Sequence, residues 1–72
     1  MVGAFLFYTT SAAFRAEKVL KDAGLAVKLV PTPRQLSSDC GVALRLEWVE
    51  AERARALLAE RGVEHAGLHQ MS

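Results

Sequence analysis

The feature that most constrains this chain is a change in the spacing of its apolar residues, repeated twice over a short length. Ala4-Phe5-Leu6-Phe7-Tyr8 is a continuous, aromatic-rich apolar run, which suits a strand buried in the middle of a sheet. Beyond Thr9, Thr10 and Ser11, whose hydroxyls can cap a helix start, Ala13, Ala16, Leu20 and Ala23 recur at helical spacing, with Ala12 and Val19 alongside. Arg15, Lys18, Lys21 and Asp22 fall on the opposite side, so this helix has one packing face and one wet face. Glu17 and Lys21 can pair across one turn, and Gly24 is placed to end the helix in a left-handed conformation. Phe14 lies off the apolar stripe and either covers the helix start or awaits a partner. Leu25-Ala26-Val27-Lys28-Leu29-Val30 then alternates like a strand, with Lys28 turned away from Leu25, Val27 and Leu29.

Val42 to Glu47 alternates again, Val42, Leu44 and Leu46 against Arg45 and Glu47, and predicts a third strand. Glu50 to Arg61 is rich in helix formers, puts Ala51, Ala54, Leu57 and Leu58 on one face, and stops at Gly62. Val63 to about Met71 reads as a final strand. The order strand, helix, strand, strand, helix, strand predicts an α+β fold of the ferredoxin-like kind. In that β-α-β-β-α-β sandwich an antiparallel four-stranded sheet carries two helices on one face. The right-handed crossover makes the first two strands parallel and lays the third between them.

Seventy-two residues are one small domain, 1–72, near the size at which pairing with another copy helps, so a homodimer is among the expectations. A net charge of +1, with acids and bases interleaved, gives no field for nucleic acid or an anionic membrane. The N-terminal apolar run has no basic region before it and is too short for a signal core or a membrane span. One cysteine excludes an internal disulfide. Together these features point to the cytoplasm, where a thiol stays reduced.

The regular alternation breaks once, between Pro31 and Gly41. Pro31 and Pro33 fix their own φ and push Val30 and Thr32 towards extended backbone, so this is a built loop. It also holds Arg34, Ser38 and the single cysteine, Cys40, directly before Gly41, where the missing side chain permits a close approach to the sulfur. In the expected topology this loop and the start of the first helix share one end of the sheet. There the free amides, with Thr9, Thr10 and Ser11, would favour an anion such as a thiolate or persulfide. Arg34 would add to that field and Asp39 oppose it. The geometric expectation is a partly exposed Cys40 within reach of Thr9, Thr10 and Ser11, with Arg34 close by. The plainer reading makes Cys40 a small buried hydrophobe.

Other constellations are weaker. His65 and His69 fall on one strand face but too far apart to chelate tightly, and no second cysteine or carboxylate cluster joins them, so no metal is expected. No cofactor is implied, since neither a phosphate-binding glycine loop nor a serine-histidine-acid ordering is present. Trp48 reads as a core or interface anchor, for a base-stacking role lacks its basic groove.

The segments Ala16-Glu17-Lys18-Val19-Leu20-Lys21 before Gly24, Leu29-Val30-Pro31-Thr32-Pro33-Arg34, and Ser38-Asp39-Cys40-Gly41-Val42-Ala43-Leu44-Arg45 resemble the small bacterial selenium/sulfur carrier protein-like family (DUF3343). The resemblance spans most of the chain and thins after Gly62. It implies a carrier in which a cysteine, here Cys40, holds a persulfide or selenopersulfide, with Pro31, Pro33, Arg34, Ser38 and Gly41 shaping its surroundings. Its partners would be a sulfur or selenium donor protein and an acceptor protein. It implies a reactive thiol more than an enzyme. The alternative is an interaction or small-anion-binding module in which the cysteine is incidental.

Overall fold

The computed structural model describes residues 1–33, 36 and 41–71. Its elements are β1 (Val2–Leu6), α1 (Thr10–Asp22), β2 (Val27–Pro31), β3 (Val42–Glu47), a single 3-10 turn at Trp48–Glu50, α2 (Ala51–Glu60) and β4 (Gly67–Met71). The strands form one antiparallel-paired sheet in the order β2-β3-β1-β4, so β1 and β2 run parallel with β3 between them. This is the ferredoxin-like α+β arrangement that the spacing predicts.

Alternation along the strands sorts side chains onto two faces. Phe5, Leu44, Leu46 and Val27 point to one face and meet Ala13, Ala16 and Leu20 of α1 and Ala54 and Leu58 of α2. Phe7, beyond the end of β1, joins the same core. On the other face Ala4, Leu6 and Ala43 form a smaller cluster against which Val30, Leu36 and Met71 pack, and among the described residues no helix contributes to it.

Each helix is ended and tied by local chemistry. Gly24 and Gly62, just past the helices, hold φ of 88° and 70°, the left-handed conformation that a side chain resists. Arg53 of α2 reaches the Ala23 carbonyl at 3.5 Å, and Glu17 and Lys21 pair at 3.3 Å on the exposed side of α1. Trp48 lies over Gly3 so closely that a Cβ there would fall 2.6 Å from Trp48 Cε3, which makes the indole a local anchor.

Three expectations need correction. β1 runs from Val2 to Leu6 and ends before Phe7 and Tyr8, because the chain already bends there towards α1. β2 begins at Val27 and includes Pro31, two residues later than the alternation suggests. β4 begins only at Gly67, so Val63 is a buried residue of the preceding connection. His65 and His69 therefore do not share a strand face. His65 stands edge-on to Phe5 on the helix side, ring centroids 5.0 Å apart, whereas His69 is opposite Ala4 on the open side.

Candidate functional site at one end of the sheet

The C-terminal ends of β1 and β2 and the N-terminal ends of β3 and β4 gather at one end of the sheet. α1 starts here, and α2 finishes here. The Thr32 N–H donates to the Gly41 carbonyl at 3.2 Å, continuing the β2–β3 ladder past Pro31 and Val42 and closing the proline loop at its base. Pro31 is the last residue of β2, and Pro33 offers its carbonyl to the Leu36 N–H at 3.0 Å. Leu36 packs on the open face, beside Leu6 and Ala43. Of the loop residues singled out from the sequence, Pro31, Pro33 and Gly41 are thereby placed. Cys40, Arg34 and Ser38, with Asp39, lie outside the described residues, as does the expected approach of Cys40 to the start of α1.

Thr9 is the N-cap of α1, with extended backbone and its hydroxyl oxygen accepting from the Ala12 N–H at 3.1 Å. A helix that opens this way satisfies one of its amides itself and leaves the partial positive charge of its first turn directed outward. No acidic side chain sits in that first turn to neutralise it. Thr9 and Ser11 border an open depression of about 420 Å³, which Tyr8, Arg15, Gly62 and Glu64 complete. A second depression of about 560 Å³ adjoins it across Tyr8 and Gly62–Glu64 and extends to Arg55 and His65.

His65 is half-buried, and burial lowers its pKa, with the Arg55 guanidinium as a second and smaller cause. At neutral pH it is therefore an uncharged imidazole, able to donate from one nitrogen and accept at the other. Arg55 is itself paired with Glu52 at 2.6 Å. The groove thus combines a helix start, two arginines, a phenol and a neutral histidine, a set suited to a small anion or a polar peptide segment. Among the described residues no group of three His, Cys, Asp or Glu side chains could hold a metal ion.

Tyr8, Arg15, Arg55 and His65 do not stand out in the sequence as a group. Arg15 and Arg55 read there as solvated helix residues, and only the antiparallel packing of α1 beside α2 brings both to this end. The one signal available was Tyr8, a polar-tipped aromatic at the edge of an apolar run.

Residues 3–70 match the family described as "Putative Se/S carrier protein-like". The chain belongs to that family. Neither a curated protein nor a solved structure gives a match. Membership covers nearly all of the sheet and both helices, together with the whole proline-cysteine loop.

Proposed function

We propose that this Se/S carrier-like protein carries sulfur or selenium on Cys40 between a donor protein and an acceptor protein. The observation that carries the reading is the single cysteine of a family member, set in a loop whose base is pinned by the Thr32–Gly41 backbone bond. That base lies at the sheet end where α1 presents its capped N-terminus.

The chemistry needs no oxidant. The Cys40 thiolate attacks the terminal sulfur of a donor persulfide, forming a new S–S bond as the donor's own S–S bond breaks. The donor leaves as a thiolate, and the terminal proton stays with the transferred sulfur. Delivery repeats the exchange with an acceptor thiolate as the attacking group. A free cysteine titrates near roughly 8.5, so the positive end of a helix, aided by Arg34, would enlarge the reactive fraction. Thr9, Thr10 and Ser11 are proposed to stabilise the loaded anion, and Pro31, Pro33, Ser38 and Gly41 to hold the loop's shape. With one cysteine the protein cannot discharge its cargo as an internal disulfide, which favours handing it on. Among the described residues no helix is long and apolar enough to cross a membrane. A reducing cytoplasm is the compartment in which the thiol would stay available.

Intact mass after incubation with a persulfide or selenopersulfide donor tests this directly. The expected product is one added sulfur or selenium atom, absent in Cys40→Ala. Equal loading of the variant, or none of the wild type across donors, sinks the carrier reading. The groove lined by Tyr8, Arg15 and Arg55 favours the alternative of an anion-binding module. That reading predicts ligand binding that survives Cys40→Ala.

A further inference from the structure

The sheet has two outer strands, and the hydrogen-bond parity of the ladders shows what each leaves unpaired. In an antiparallel pair, opposite residues alternate between exchanging both backbone bonds and exchanging none. The Trp48 N–H donates to the Met1 carbonyl, which makes that opposite pair a bonded one. Gly3 and Phe5 therefore turn their backbone groups to β3, and Val2, Ala4 and Leu6 turn theirs to β4. The Leu6 carbonyl does point to the β4 side, where it accepts from the Ala66 N–H, one residue before the Gly67 that the register sets opposite Leu6. Across the register, Met71, His69 and Gly67 face inward to β1. Leu68 and Gln70 consequently direct both N–H and C=O away from the sheet.

The same logic applied to the Thr32–Gly41 bond turns Val27, Leu29 and Pro31 outward on β2. That edge carries a proline with no N–H to offer and a lysine within the strand, both devices that discourage strand addition. β4, Gly67-Leu68-His69-Gln70-Met71, has neither proline nor formal charge. It is the unguarded edge of the pair.

We propose that the free edge of β4 is a homodimer interface, to which β4 of a second copy adds antiparallel about a two-fold axis at His69. The choice of a second copy follows from symmetry. The outward residues stand one on each side of His69, so the strand's own antiparallel image offers donors and acceptors in register. Leu68 exchanges both backbone bonds with Gln70 of the second copy, and Gln70 with Leu68 of the second copy, giving one continuous sheet through both molecules. In this register uncharged Leu68 and Gln70 meet on one face, and on the other His69, whose ring lies over Gly67, meets its own copy. The base of the proline loop, at Thr32 and Gly41, stands on the β2–β3 side of the sheet, two strands away from β4. The dimer stands whether or not Cys40 carries sulfur.

Sedimentation over a wide concentration range, read with amide hydrogen exchange, tests the interface. The wild type is expected to reach a dimer mass, with the Leu68 and Gln70 amides slowing as concentration rises while those of Val27 and Leu29 do not. Gln70→Pro removes an outward N–H that the monomer does not use, and should raise the dimer dissociation constant at least roughly thirtyfold with unchanged circular dichroism. A monomer at millimolar concentration, a dimer unaffected by Gln70→Pro, or protection at Val27 and Leu29 instead overturns the proposal. Should Gln70→Pro fail to fold, the wild-type exchange pattern alone decides.

Discussion

The two faces of the sheet are built from the same strands and held by unlike means. The helix face is filled by large side chains, with Phe5, Phe7, Leu20, Leu44 and Leu58 fully buried, and two helices lie across it. The open face is made mostly of small ones. Ala4 and Ala43 are as buried as any phenylalanine, yet only Leu6, Val30, Met71 and Leu36 give that cluster bulk. The first face stores the fold's stability. On the second, the proline-cysteine loop is tethered to the sheet through Leu36, so conditions that loosen the tether need not loosen the fold.

The strongest way to break this contrast is truncation on each face. Phe5→Ala should cost about 3 to 5 kcal/mol, because the helices above cannot collapse fully into the space, and a domain of this size would be largely unfolded by it. Leu6→Ala should cost about 2 to 3 kcal/mol, at the low end for leucine, since its cover can settle inward. Urea denaturation measures both, and equal losses would mean that the open face is as tightly packed as the helical one. Next in size, Leu36→Ala should cost about 1 kcal/mol, as only part of that side chain is buried. Its larger consequence should be faster amide exchange at Thr32. An unchanged exchange rate there would show that Leu36 does not tether the loop.

The mildest test uses pH and touches the helix face alone. His65 has a pKa lowered on folding by burial and then by Arg55, so the folded state prefers the neutral ring. Its contribution is fully present above the unfolded value of about 6.5 and is lost as pH falls through the lower folded value. Thermal melts should therefore drop between neutral and mildly acid pH, and His65→Gln should flatten that drop. A variant with the same pH slope would place the sensitivity elsewhere.

Much of the fold was legible from residues alone, for reasons that differ by element. Strict alternation gives β3 its bounds, Val42–Glu47, as read, and the glycines after each helix mark where α1 and α2 stop. The hydroxyls of Thr9, Thr10 and Ser11 mark the start of α1 without choosing among them: Thr9 is the cap and the helix begins at Thr10, two residues before the apolar spacing that opens at Ala12. β1 was misplaced because a continuous apolar run carries no mark of where the strand ends and the buried bend begins. Val63 misled in the same way, being apolar for the core and not for a strand. The error over His65 and His69 followed from it, since a residue outside the strand obeys no alternation. The groove was the least legible part. Its members come from three separate segments, and nothing in local spacing relates Tyr8 to Arg55.

The backbone bond between Thr32 and Gly41 has a consequence for how such a protein can change over generations. A loop closed at its base by strand pairing is a replaceable insert. Its length enters the folding free energy only logarithmically, each doubling costing about 0.6 kcal/mol, so apart from Leu36, which packs on the sheet, residues between Pro33 and Cys40 can be added, removed or exchanged at little expense to the fold. The insert can then be rewritten while the βαββαβ frame beneath it is inherited intact.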